Sequence, residues 1–211
     1  MTNPDDPIIF VVDDDYRMQE ALSSLIAAMG FRVATFGSAS EFLKAEKSDS
    51  PACLILDLEL PDIHGLELQQ ELADNDAPPV IFVTGHGDIP SSVRAMKAGA
   101  VEFLSKPFDE QELQSAIETS IAMDRLARQK RSELAELQRR YSLLTHREQE
   151  VLPFVVEGFL NKQTAADLGT SEVTIRVHRG QIMRKMGARS LAELVRMADK
   201  LRVPPRRGSS G

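Results

Sequence analysis

Leu54-Ile55-Leu56-Asp57-Leu58-Glu59-Leu60-Pro61 is an apolar run that delivers one carboxylate at its end and then stops at a proline. Leu and Ile with little alternation, bounded by turn residues, form a strand buried on both faces, as in a parallel sheet covered by helices. Asp57 therefore falls at the carboxyl end of a central strand, the edge where open α/β sheets bind ligands. An Asp there can also do no more than cap the next turn. The residues that join it from elsewhere in the chain decide between the two.

Upstream, Ile8–Val12 is a strand, and Met18, Ala21, Leu22, Leu25, Ile26 and Met29 follow at helical spacing, closed by Gly30. Arg32–Phe36 and a helix from Ser38 come next, then Cys53–Leu56 and a helix from Gly65. Val80–Val83 leads to a helix near Ser91–Ala98, and Val101–Leu104 to one starting near Asp109. Strands separated by helices in this way predict a doubly wound, five-stranded parallel sheet with right-handed crossovers. Its first strand ends in Asp13-Asp14-Asp15, the third in Asp57, the fourth in Thr84 and the fifth in Lys106-Pro107, all at one edge. Clustered carboxylates repel one another and persist side by side with a hard cation, and an all-oxygen site with room for water suits Mg²⁺. Lys106 adds an ammonium and Thr84 a hydroxyl, both useful against phosphate oxygens. Acid nucleophile, metal and ammonium are the equipment for accepting a phosphoryl group on Asp57. Singly, Asp13–Asp15 reads as a solvated turn, Thr84 as a cap and Lys106 as a surface lysine; together they read as a site.

The net charge of −7 hides an asymmetry. Residues 1–121 hold 22 Asp and Glu against 7 Lys and Arg, net −15, whereas residues 122–211 hold 10 against 18, net +8. An acidic half suits a cation or a basic partner and a basic half suits a polyanion, so two domains with different partners are expected. The apolar runs fall far short of about 20 residues and the start lacks a basic stretch followed by an apolar one, so neither a membrane span nor a signal peptide is indicated. A cytoplasmic protein is expected. The single Cys53 has no partner for a disulfide or a metal cage, which fits a reducing compartment and a packing role.

Residues 122–144 are rich in strong helix formers and free of Gly and Pro, so the last helix of the first half is expected to run on as a linker over residues 122–143. Leu134, Leu137, Tyr141 and Leu144 make a short seam that either pairs with a second copy or packs against the chain's own domains. Thr145-His146-Arg147-Glu148 is a capping box opening a helix to Gly158, with a bend or split expected at Pro153. Asn161–Leu168 is a second helix, Glu172–Met186 a third capped by Thr170-Ser171, and Ser190-Leu191-Ala192-Glu193 opens a fourth to about Leu201. Leu168-Gly169-Thr170-Ser171 joins the middle pair into a helix-turn-helix whose second helix probes the major groove of DNA. On that helix Val173, Val177 and Met183 are assigned to the core, and Thr174, Arg176, His178, Arg179, Gln181, Arg184 and Lys185 to the outside, a positive stripe suited to DNA.

Val12-Asp13-Asp14-Asp15, Leu56-Asp57-Leu58-Glu59-Leu60-Pro61, Val83-Thr84-Gly85-His86-Gly87-Asp88 and Lys106-Pro107-Phe108 resemble the motifs of the receiver domain of two-component response regulators. The resemblance covers residues 8–121 and implies a flavodoxin-like receiver domain over 1–121. By position, Asp57 is similar to the acceptor that attacks the phosphohistidine of a sensor histidine kinase. Asp14 resembles the acid that binds Mg²⁺ directly, Asp13 the one that acts through water, Asp57 itself a ligand, and Glu59 the donor of a backbone carbonyl. Lys106 resembles the phosphate's partner, followed by a cis peptide to Pro107. Thr84 and Phe103 resemble the switch pair, hydroxyl moving to the phosphate and ring turning inward. Asp15 has no metal role in that pattern, and the side chains of Glu59 and His86 stand where relatives vary.

Leu144-Thr145-His146-Arg147-Glu148-Gln149-Glu150-Val151-Leu152, Asn161-Lys162-Gln163, Leu168-Gly169, Val173-Thr174-Ile175-Arg176-Val177-His178-Arg179 and Met183-Arg184-Lys185-Met186 resemble the LuxR-type DNA-binding domain. That resemblance implies an all-α, four-helix helix-turn-helix domain over 144–203. Arg176 matches a residue entering the groove, Lys162, Thr174, His178 and Lys185 match phosphate or groove contacts, and Arg179 belongs to the same stripe. The fourth helix resembles the one through which two such domains pair on a palindromic site. Gly180 stands where some relatives carry a base-reading lysine. Residues 204–211 are expected to form a disordered tail.

Receiver followed by LuxR-type domain is the FixJ/NarL arrangement. Gly85-His86-Gly87-Asp88-Ile89-Pro90 and Arg94-Ala95-Met96-Lys97-Ala98-Gly99-Ala100 point to the FixJ-like branch, near regulators such as that of styrene breakdown. The resemblance implies a non-enzymatic transcription regulator whose phosphorylation favours a homodimer on a double-stranded operator, with RNA polymerase a candidate partner. Two alternatives stand beside it. A Mg²⁺-dependent aspartyl phosphatase of the haloacid dehalogenase type also uses a strand-end Asp, but wants a second Asp where this chain has Glu59. A DNA binder indifferent to phosphorylation would keep the receiver only for docking.

Overall fold

The computed structural model describes residues 6–45, 48–72, 77–85 and 89–204. His86, Gly87, Asp88 and the tail beyond residue 204 lie outside them. The chain divides into two compact units, Met1–Arg128 and Gln129–Gly211, a boundary inside the stretch expected as a linker.

The first unit alternates β1 (Ile8–Val12), α1 (Tyr16–Ala28), β2 (Arg32–Phe36), α2 (Ala39–Lys44), β3 (Ala52–Leu56), α3 (Gly65–Leu72), β4 (Val80–Thr84), α4 (Ile89–Lys97), β5 (Glu102–Ser105) and the start of α5 (Glu110–Ser142). All strand pairs are parallel, in the order β2-β1-β3-β4-β5. This is the expected doubly wound sheet, with the order reversing at β1 and β3. Period-two alternation explains its two cores. Phe10, Val12, Leu54, Leu56 and Phe82 face α2, α3 and α4, where Ala39, Leu66, Leu68, Leu72 and Ala95 meet them. Ile9, Val11, Ile55, Ile81 and Val83 face Leu22 and Ile26 of α1 and Leu113, Ile117 and Ile121 of α5. Cys53 lies in this second layer, fully buried, where loss of water pushes its thiol up to about 12.

The apolar stripe of α5 ends at Ile121, and beyond it a polar clip takes over. Buried Asp124 accepts the Ala52 amide at the foot of β3 (2.8 Å) and the Arg128 Nε (2.6 Å). Arg128 also donates to the carbonyls of Asp49 (3.0 Å) and Ser48 (3.2 Å). The strand that leads to Asp57 is thus tied at its foot to α5.

The second unit holds the rest of α5 with α6 (His146–Val156), α7 (Asn161–Asp167), α8 (Glu172–Met186) and α9 (Leu191–Lys200). Thr145 and Glu148 form the expected capping box. The helix is not split at Pro153: α6 continues through it, and Pro153, Val151, Leu152, Phe154 and Val155 are all buried, so packing outweighs one missing backbone bond. Of the Leu134–Leu144 seam, Leu134 is exposed and the other three pack within their own unit. Leu137 is buried, and Leu144 and Tyr141 join a core with Val151, Leu152, Ile175, Ile182, Met186 and Leu194.

The core face of α8 differs from expectation. Ile175, Ile182 and Met186 point inward, while Val173 and Val177 are 66% and 55% exposed. Steps of seven and then four residues from Ile175 define the buried line, and Val173 and Val177 fall on the opposite side of the helix.

Arg128→Ala takes the cation away from buried Asp124 and the donor away from the Ser48 and Asp49 carbonyls, which costs about 3 kcal/mol. Urea unfolding of the full chain is expected to show that loss in the first unit, while Arg125→Ala on the exposed side stays within about 0.5 kcal/mol of the parent.

Candidate functional site

Backbone pairing aligns the strand ends before any side chain acts. The Asp13 amide donates to Phe36 O (3.2 Å), Asp57 to Val12 O (2.9 Å) and Lys106 to Thr84 O (2.8 Å). The first side chains past β1, β3 and β5 therefore share one edge. There the Lys106 ammonium lies 2.7 Å from Asp13 Oδ2 and 2.9 Å from Asp57 Oδ2. Each carboxylate gives its other oxygen to a backbone amide: Asp13 Oδ1 accepts Asp15 N–H (2.9 Å) and Asp57 Oδ1 accepts Glu59 N–H (3.3 Å). Asp13 is 2% and Thr84 1% exposed, and the Lys106–Pro107 peptide is cis.

Burial pushes the Asp13 carboxyl above its ordinary value, against the Lys106 bond and the Asp15 amide, which pull it down. Burial also opposes the Lys106 charge, but Asp13 and Asp57 together outweigh it and hold the ammonium above its ordinary range. The result is an ammonium in contact with two carboxylates at one sheet edge.

Asp13, Asp57 and Lys106 are brought together. Asp14 and Glu59 stand exposed at the rim, and Asp15 caps α1 by accepting the Arg17 amide (2.9 Å). Among the described residues no three His, Cys, Asp or Glu side chains converge at metal spacing. The donor set on this edge, carboxylates and backbone carbonyls without nitrogen or sulfur, still fits a hard divalent cation. Phe103 is half-buried beside Phe82, ring centroids 6.1 Å apart. Sequence reasoning passed over Gly65, which it treated only as the start of a helix. A Cβ there would sit 2.3 Å from the Asp57 carbonyl oxygen, so glycine lets α3 close against the Asp57 backbone.

In the second unit, Val173, Arg176, Val177, Gly180 and Arg184 form the exposed line of α8, and Lys162 of α7 is exposed. Gly180 meets nothing that a Cβ would touch, leaving the backbone open to close approach. Thr174 and His178 are half-buried, the Thr174 hydroxyl lying 2.8 Å from Ser171 Oγ. Two of the basic residues are engaged inside the protein. Arg179 donates to Phe159 O (3.0 Å), and Lys185 pairs with buried Glu148 (2.6 Å).

Comparison with known proteins accounts for both units. The response regulator receiver domain matches residues 9–118, and the luxR family of bacterial regulatory proteins matches residues 142–198. Nodulation protein W of Bradyrhizobium diazoefficiens is 48% identical over 93% of this chain and 87% of its own length. The transcriptional regulatory protein FixJ of Azorhizobium caulinodans is 42% identical over 96% of each. A low-resolution structure of the response regulator StyR superposes with a TM-score of 0.83 at 48% identity, covering 92% of this chain and 99% of that one. The resemblance to the FixJ-like branch is borne out.

Two variants probe these geometries. Gly65→Ala is expected to lower first-unit stability and to displace the Asp57 backbone, read by amide chemical shifts around residues 56–60. Glu148 is held below the ordinary 4.5: burial opposes its charge, but Lys185 and the Thr145 amide outweigh that. Its contribution is complete above about pH 4.5 and is lost as pH falls through the lower folded value. Glu148→Gln should flatten this acid limb in pH-dependent unfolding of the second unit.

Proposed function

Because the chain belongs to the response-regulator family that joins a receiver domain to a LuxR-type DNA-binding domain, we propose that phosphoryl transfer to Asp57 switches its grip on DNA. The observation that carries this reading is the Lys106 ammonium bridging Asp13 and Asp57 at 2.7 and 2.9 Å beside buried Thr84. A sensor histidine kinase supplies the phosphoryl group. An Asp57 carboxylate oxygen attacks phosphorus, the bond to the kinase imidazole breaks, and an aspartyl phosphate forms. Lys106 then pairs with a phosphoryl oxygen, and the Thr84 hydroxyl turns to donate to another. Mg²⁺ is the proposed cofactor, held by Asp13, Asp14, Asp57 and the Glu59 carbonyl; it neutralises charge on the transferring group.

Movement of Thr84 vacates space beside Phe103, a residue that also lines a groove of about 520 Å³ with Glu102, Gln111, Ser115 and Thr119. Turning that ring inward remodels the face of α4, β5 and α5. On α4, Ile89, Val93 and Met96 are exposed at helical spacing, an apolar stripe suited to a homodimer. A dimer presents two α8 helices to the half-sites of a duplex operator, so affinity rises by linkage. Arg176 and Lys162 are the proposed outward contacts, with Thr174 and His178 at their margin. Arg179 and Lys185 reach DNA only with their internal bonds rearranged. RNA polymerase is a candidate partner of the bound dimer, and the cytoplasm is the proposed location; no described helix is long and apolar enough to cross a membrane. The phosphatase alternative leaves the LuxR-type unit without a role.

Treatment with a small acyl phosphate and Mg²⁺ is expected to shift the chain to dimers and to tighten operator binding at least about tenfold, roughly 1.4 kcal/mol. Asp57→Ala should show neither change. Equal affinity before and after, measured by fluorescence anisotropy, would reject the switch.

A further inference from the structure

The C-terminal end of α8 carries a contact that groove reading leaves unused. The last carbonyls of a helix lack intrahelical partners. Here the Gly187 amide closes onto Arg184 O and Met183 O, and Ala188 donates to Met183 O (3.0 Å). The carbonyl of Met186, a fully buried residue, is taken instead by Arg140 Nη1 at 3.1 Å. Arg140 is not part of the helix-turn-helix; it lies near the end of α5.

The guanidinium is held from its own helix. Arg140 Nε donates to Glu136 Oε1 (2.8 Å), and Glu136 is gripped by Arg139 as well, at 2.7 and 2.8 Å. Gly187 completes the fit. Its φ of 72° is left-handed, and a Cβ there would stand 2.8 Å from Arg140 Nη1. Leu137 is buried and Tyr141 packs against the core at the same end of α5.

We propose that Arg140 is a positioning residue for DNA recognition: braced by Glu136, it caps α8 and fixes the angle at which Val173, Arg176, Val177 and Arg184 are presented. This rests on the reading that α8 enters the groove. A cation on a terminal carbonyl adds a charge-assisted bond and complements the helix dipole. Base-edge contacts demand alignment, so slack at one end of the helix costs specific binding more than phosphate attraction.

The test uses the full-length chain and a duplex that the wild-type chain selects from a random pool, with a scrambled duplex as control. Arg140→Ala is expected to weaken the selected duplex about tenfold while the scrambled one changes little and the salt slope stays the same. Amide exchange at Gly187 and Ala188 should quicken while the rest of α8 is unchanged. Arg140→Lys, which keeps the charge without the fork, should recover part of the loss and serves where the alanine variant does not fold. Arg125→Ala, an exposed cation of the same helix away from Glu136 and Met186, should leave affinity and exchange as they are.

Unchanged affinity for the selected duplex overturns the proposal, even if the melting temperature falls. Equal loss on both duplexes with a salt slope reduced by about one also overturns it, because that marks a direct phosphate contact. A wild-type chain that selects no duplex even after treatment with acyl phosphate and Mg²⁺ overturns the groove reading itself.

Discussion

One ammonium shared by two carboxylates is the constraint on which the first unit depends. Asp13 and Asp57 come from neighbouring strands and are both largely withdrawn from water, so they cannot stand together as anions without a partner. Lys106 resolves this at 2.7 and 2.9 Å. Its place follows from parallel pairing of β4 with β5, which sets the Lys106 amide on the Thr84 carbonyl. Two residues at that edge are support: Gly65 lets α3 approach the Asp57 backbone, and Asp15 starts α1 without entering the charge cluster.

The second unit solves a similar problem with other parts. Buried Glu148 of α6 needs a cation and finds Lys185 of α8, so an expected DNA contact also holds two helices together. Arg179 is likewise engaged with the Phe159 carbonyl, ahead of α7. The basic excess of this half is therefore partly internal wiring, and the cations left outward on α8 are chiefly Arg176 and Arg184.

Strand positions in the first unit were most legible at β1, β3 and β4, apolar runs of four or five residues stopped by Asp13, Asp57 and Thr84. The clustering of Asp13, Asp57 and Lys106 followed from topology, since parallel strands place their ends together. Contacts made through backbone atoms were not legible. Nothing in the letters around Gly65 states that the Asp57 carbonyl will lie against it. The orientation of α8 was misjudged because valines count as core by composition, whereas the buried line was already taken by Ile175, Ile182 and Met186. Pro153 misled for a related reason: a local cost was weighed without the burial that offsets it.

Cys53 has a practical corollary. It is the chain's single cysteine, and its thiol is sealed in the sheet and pushed up to about 12, so almost no thiolate exists near neutrality. Maleimide or nitroxide chemistry will pass it by in the folded state. A cysteine introduced at any surface position would carry its dye or spin label alone, without first mutating the native one, and distances could be followed in otherwise unaltered protein.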